Sequence, residues 1–414
     1  MNMSVNQNIR YVSRMGDINR PQLKTVRRAF KLIYGSDPHP TAAQMQDIER
    51  HMLMGDPLAD AVVQMYKDLN PGEGRKLLDQ ALEQGIASIA NPPQPLLDLF
   101  AQVDDEPIWL DRDKLKLGCD VSRRVGPYGE LVLRNLALMG GYLGGAAAKP
   151  LVFTGQLDKR TPRRLVETGK FWMDVTTVGG LERDQDGFKS AVRVRLMHAQ
   201  VRRMLLDSGK WDPAWGHPLN QWDSMATILE FSSIFLTGLR AIGFLFTKRE
   251  REAVIHLWRY VGYLMGVEER VLPACEADSM RALYHTIATV CDADADTLAL
   301  GQSLASAPPT IDGDAWWQKR LGDLEQTLRA GYSRFILGDR AGDQLGLRNN
   351  RLAKYFWPAQ APLRMGSELL RMSIPGANQW LVKLAEKAAR EQFPERVKAT
   401  RADTTFTPVT RLAR

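Results

Sequence analysis

Cysteine is scarce in this chain: three thiols, Cys119, Cys275 and Cys291, lie far apart in 414 residues. There is no C-x-x-C pair, which excludes zinc ribbons, thioredoxin-type redox chemistry and covalent c-type haem attachment. Isolated thiols without a disulfide framework fit a reducing compartment. Histidine is scarce too. His39, His51, His198, His217, His256 and His285 are the whole set. No two stand three or four positions apart, so no single helix offers a two-histidine metal site. Long apolar runs are also missing. The two most apolar stretches, 131–148 and 231–246, are broken by Arg134 and Arg240. Both fall short of the ~20 clean apolar residues that a bilayer-spanning helix requires. The N-terminal MNMSVNQNIRYVSRMGD carries arginines and no apolar centre, so it is not a secretory signal. These absences predict a cytoplasmic protein with no transmembrane segment.

Familiar catalytic motifs are absent as well. Gly140-Gly141-Tyr142-Leu143-Gly144-Gly145 is not G-x-G-x-x-G and follows a helical pattern rather than a strand. Its glycines predict a thin helix face for close packing. Asp292-Ala-Asp294-Ala-Asp296 imitates the start of a calcium loop but lacks the glycine at the sixth position and the glutamate at the twelfth. No G-x-S-x-G elbow occurs. Charge of one sign does not dominate either: 55 basic against 48 acidic residues give a net charge of +7. That is too dilute for nucleic acid, and it suits acidic small molecules or weak contact with a membrane surface.

What is present is helical punctuation. Pro21 opens a segment through Tyr34, and Thr41 with Gln44 forms a capping box for Ala42 to Met54. Asp56-Pro57 and Thr161-Pro162 start further helices, and Thr247 caps Lys248 to Met265. Segments of 3.6-residue period run over 187–207, 219–246, 276–290, 314–337 and 376–392. Alternating β-branched runs are nearly absent. The fold class is all-α, one large helical domain with helical extensions. Within it, 1–18 and 401–414 read as flexible tails, 19–109 as an N-terminal helical extension, 110–350 as the core and 351–400 as C-terminal helices.

His198 is the unusual histidine. At about 100° per residue, Val194, Val201 and Leu205 fall on or just to one side of it, and Arg195 and Arg202 just to the other. One helix face therefore carries an imidazole, an apolar strip and a cationic strip in parallel. A haem needs an axial nitrogen, an apolar wall and cations for its propionates. A core histidine on an amphipathic helix would look the same. One helix earlier, Arg164, Thr168 and Phe171 share a face, with Glu167 beside them. Glu167 either joins that polar spot or pairs on the surface with Arg163, Arg164 or Lys170.

Arg164-x-x-x-Thr168 followed by His198-x-x-x-Arg202 resembles the signature of the latex clearing protein (rubber oxygenase) family. Its catalytic domain is shared with the membrane-anchored oxygenase of mycophenolate biosynthesis. Leu219 to Phe231 and His256 to Gly266 are similar to the same family, so the likeness spans roughly 110–350. The resemblance implies a globin-like helical core with non-covalent haem b, His198 as proximal iron ligand, and Arg164, Thr168 and Arg202 near the cofactor. Arg195 is added to that set from helix geometry. Rubber-cleaving members place a lysine where this chain has Glu167, and a glutamate base on the preceding helix. The run Gly144-Gly145-Ala146-Ala147-Ala148 has no acid. Both departures, with the missing export signal, argue against cleavage of polyisoprene itself.

The expectation is a haem b-dependent oxygenase that uses dioxygen on a small apolar, unsaturated, isoprenoid- or lipid-like substrate. Arg164, Thr168 and Glu167 are its catalytic candidates; His198, Arg202, Arg195, Arg164 and Thr168 bind the cofactor. A non-catalytic haem sensor or carrier would need the same His198 face, and a helical interaction protein would need no cofactor.

Overall fold

Helices begin where the sequence supplies caps. In the computed structural model, which describes residues 21–155, 161–289, 293–309 and 314–406, the first are α1 (Pro21–Tyr34) and α2 (Ala42–Met52). The Thr41 hydroxyl accepts from the Gln44 amide at 3.2 Å, and Gln44 accepts from the Thr41 amide at 2.9 Å. The predicted capping box is thus complete, and such a cap stabilises a helix by about 1 kcal/mol. Asp56 caps α3 (Pro57–Asp68) by accepting from Ala59 at 3.2 Å. α4 (Glu73–Gln84), α5 (Gln94–Val103), α6 (Arg112–Arg124), α7 (Pro127–Val132), α8 (Met139–Gly141) and α9 (Lys149–Phe153) follow. α10 (Thr161–Thr176), α11 (Asp186–Asp207), α12 (Gln221–Leu229), α13 (Phe235–Ala241) and α14 (Lys248–Leu264) form the middle of the chain. The rest is α15 (Glu276–Thr289), α16 (Ala295–Ala305), α17 (Trp316–Leu337), α18 (Asp339–Gln344), α19 (Arg351–Ala359), α20 (Ala361–Ser373) and α21 (Ala377–Thr400).

The protein is 74% helical, with no strand among the described residues, as the periodicity predicts. No described helix is long and apolar enough to cross a membrane. Side chains from Ile48 in α2 to Phe406 share one apolar core, centred on Phe188, Phe235 and Trp258. Full burial of each such side chain is worth about 1.5–3 kcal/mol. The N-terminal helices therefore pack into the same domain as the rest. α6 lies flush along α14: a Cβ at Gly118 would stand 2.5 Å from the Ala253 carbonyl oxygen.

Three local expectations change. The segment 219–246 is not one α-helix: a π-helical turn, Glu230–Ile234, separates α12 from α13. A second π-helical stretch, Leu133–Leu138, packs against it. The glycine run does not form a thin helix face, because α8 ends at Gly141 and turns follow, as poor helix formers dictate. The aspartates of the false calcium loop hold α9 to α16: Lys149 Nζ meets Asp294 at 2.5 Å and Asp296 at 2.6 Å. Residues 401–406 are docked rather than a free tail. Arg75 donates to the Phe406 and Thr405 carbonyls, each at 3.2 Å, and the Phe406 ring enters the core. The predicted tail 1–18, residues 407–414 and Cys291 lie outside the described residues, whereas Cys119 and Cys275 are free thiols.

Candidate functional site

α10 packs along α11, and α11 packs on its other side against α3. Two arginines fix that second contact. The Arg195 guanidinium grips the Asp56 carboxylate at 2.6 and 3.0 Å and donates to Gln102 Oε1 at 2.5 Å. Two turns further on, Arg202 donates to Asp60 at 2.8 Å and to the Leu219 carbonyl at 2.9 Å. Both were read from the helix face as cations for propionates. The structure gives each of them carboxylate and carbonyl partners within the protein. Their carboxylates come from α3, far away in sequence, which the period of α11 alone does not reveal.

His198 lies between them along the helix. It is deeply set, yet part of its surface stays accessible. Burial, helped by the charges of Arg202 and Arg164, pulls its pKa down to about 4. The ring is therefore neutral at physiological pH. It has no hydrogen-bond partner among the described residues. Buried polar groups are nearly always bonded, so a deeply set imidazole without a protein partner needs an explanation. By contrast, His51 bonds to Glu268, His256 accepts from the Asp111 amide at 2.9 Å, and His285 meets the Pro38 carbonyl at 2.8 Å. Each of these three has a partner within the protein.

Arg164 reaches over from α10. Its guanidinium donates to the Tyr142 hydroxyl at 3.3 Å, a long bond that leaves most of its five donors open. Its charge acts on His198 and also on a residue that the sequence reading passed over, Glu230. Glu230 opens the π-helical turn. Burial pushes its carboxyl pKa up to about 8, against the pull of Arg164. Among the described residues it has no hydrogen bond or ion pair. Its carboxyl lies over Gly141, where a Cβ would collide with it. The one sequence signal was an acid alone between Ile228-Leu229 and Phe231 in an apolar stretch. An acid had been sought in Gly144–Ala148; the structure supplies one from a different helix.

Thr168 sits one turn beyond Arg164, and its hydroxyl has no partner among the described residues. Phe171 completes that face and packs near Trp258, with ring centroids 6.5 Å apart. Glu167 does not join the group. It pairs with Arg163 at 2.7 Å and accepts from the Asp403 amide at 2.9 Å, so the surface-pairing alternative is the observed one. The arrangement thus unites one free neutral imidazole, one free carboxyl, one cation with open donors and a hydroxyl. Such a set can ligate one metal centre, bind an anion and hold a proton.

A family model described as ER-bound oxygenase mpaB/B'/rubber oxygenase, catalytic domain, matches residues 129–403. The chain belongs to this oxygenase family. A rubber oxygenase from Streptomyces sp. (strain K30) is 24% identical over 300 residues, covering 70% of this chain and 69% of that protein. The structure of latex clearing protein LCP in the closed state has a TM-score of 0.55 and 20% identity, over 80% of this chain and 88% of that one. That likeness shows a shared fold. The rubber oxygenase family match runs past the 350 boundary read from the motifs and takes in α19–α21. All the site residues lie inside it.

Proposed function

We propose that this rubber oxygenase family member is a haem b-dependent oxygenase acting with dioxygen on a small apolar, unsaturated, isoprenoid- or lipid-like substrate. The His198 imidazole, deeply set, neutral and without a hydrogen-bond partner among the described residues, carries the reading. Among the described residues no three His, Cys, Asp or Glu side chains gather as a metal site. A single neutral imidazole is what haem iron asks of a protein, because the macrocycle supplies the other nitrogens. When bound, haem b supplies an iron centre for oxygen activation.

The chain's own residues do the rest. His198 would hold the iron through a ring nitrogen. Arg195 and Arg202 anchor α11 to α3 and its neighbours, and so hold the ring in place. Arg164 is the cation with donors left for an anionic or oxygen-bearing group, and the Thr168 hydroxyl adds a donor on the same face. Glu230 keeps a proton on its carboxyl near neutrality, ready to donate or recover it. Addition of both oxygen atoms across a carbon–carbon double bond yields two carbonyl groups and needs no outside reductant.

The test is direct. Protein purified from iron-supplied cells should show a Soret band, release haem b into acidic organic solvent, and form carbonyl products from unsaturated isoprenoids under oxygen. A Soret band without products would leave a haem carrier or sensor. A colourless protein would overturn the haem reading.

Glu230 gives a prediction that does not depend on turnover. Its folded pKa lies above that of an exposed carboxyl, so the folded state binds the extra proton as pH rises through the interval. Stability is then full below the ordinary carboxyl range and falls as pH rises towards about 8. Glu230→Gln keeps the shape and removes the titration. Thermal melts between about pH 5 and pH 9 should show a smaller loss of Tm on the alkaline side for this variant. Parallel profiles for both proteins would mean that Glu230 reaches water.

A further inference from the structure

One helix is turned inside out. On α20 the ions face the protein: Glu368 and Arg371 are only 6% and 7% exposed. They pair at 3.1 Å, and Arg371 also donates to Asn378 at 2.6 Å. Arg364 donates to the Ile242 carbonyl at 2.6 Å and lies over the Tyr128 ring. These three positions fall within about 60° of one another around the helix. The outward side carries Leu363, Leu369, Leu370 and Met372, exposed by 81%, 58%, 62% and 46%. Leu352 of α19 and Trp380 of α21 are exposed by 86% and 64%. A helix stabilised by its own core buries its leucines. Here the anchoring is ionic and the leucines are displayed. Such a display exceeds the scattered exposed apolar residues normal for a soluble surface.

Charge identifies what covers it. Residues 340–400 hold eleven basic and five acidic side chains, nearly the whole of the chain's net charge of +7. Arg351, Lys383, Lys387 and Arg390 are exposed on α19 and α21. A two-fold contact with a second copy would set these cations against their own counterparts, at a cost in repulsion. An anionic surface meets them favourably. Leucines flanked by Lys and Arg, on helices none of which is long and apolar enough to span, are the signature of attachment in the plane of a bilayer.

We propose that α19–α21 form a docking surface for an anionic lipid bilayer, with the outer side of α20 entering the boundary between headgroups and acyl chains. The inference rests on this surface alone and holds whether or not the protein carries haem.

Sedimentation of the full-length protein with vesicles tests it. Phosphatidylcholine vesicles containing phosphatidylglycerol should retain the protein at least about tenfold better than phosphatidylcholine alone, and salt should erase the difference, since each Lys or Arg near such a surface contributes about 1 kcal/mol. Leu363→Glu with Leu370→Glu should lower retention about tenfold or more, with circular dichroism unchanged, because both side chains point away from the fold. Lys383→Glu with Lys387→Glu should remove only the preference for phosphatidylglycerol. The proposal is overturned by absence of binding to the anionic vesicles, or by equal binding of the double leucine variant. It is equally overturned if the wild type elutes as a dimer that the leucine variant dissociates, since a second copy would then cover the surface.

Discussion

His198→Ala should strip the purified protein of its Soret absorbance while leaving its helical circular dichroism unchanged. Changes to the partners of a metal ligand cost roughly 10–100-fold in metal affinity, so loss of the ligand itself should exceed that. The fold should survive for a specific reason. The imidazole bonds to no described residue, so alanine leaves no partner orphaned. Imidazole added to the variant should restore part of the absorbance by filling the place of the lost ring. If His198→Ala keeps a full Soret band, the iron is held elsewhere. If the variant is merely unfolded, circular dichroism will show it.

The second large effect is expected at the ion pair that ties α11 to the start of α3. Asp56→Ala should destabilise the protein by about 3–5 kcal/mol, the usual consequence of stranding one member of a buried ion pair. Arg195 is only 3% exposed and has Asp56 as its bidentate partner. The aspartate also caps α3, which adds about 1 kcal/mol. Replacing both, Asp56→Leu with Arg195→Met, should recover much of the loss, because an apolar pair of similar volume avoids the desolvation of two ions. Urea unfolding of the three proteins measures this. Arg195→Ala should lower haem retention through this instability, so cooling should restore the haem. Haem loss that cooling does not reverse would mean that Arg195 touches the cofactor directly. A cost below about 1 kcal/mol for Asp56→Ala would place the pair in contact with water.

Much of this was legible because it is local. The caps at Thr41, Asp56 and Thr247 depend on residues within three positions, and all three are present as read. The face of α11 follows from its period, which put His198 beside Arg195 and Arg202. What period cannot supply is the neighbour. Asp56 and Asp60 meet those arginines across 139 and 142 positions, and only packing decides whether a guanidinium meets a carboxylate or a ligand. Glu230 was hidden for a related reason. A uniform α-helix over 219–246 gives no special direction to that side chain, whereas the π-helical turn does. α20 is the third case. A helical period shows that two faces differ and is silent on which one turns outward.

The π-helical turn also bears on how this site changes over evolutionary time. A π turn holds one residue more than the α-helical turn it replaces. Deleting a single residue there would return the segment to α geometry and rotate one flank against the other by about 100°. α12 and α13 are each pinned by buried side chains such as Met225 and Phe235, so the strain would fall on the few residues between them. Glu230 is the first of those. Single-residue insertions and deletions, more than substitutions, would therefore turn the carboxyl towards Gly141 or away from it while the scaffold stays intact. Chain length at this one point acts as a selector for whether the interior holds an acid.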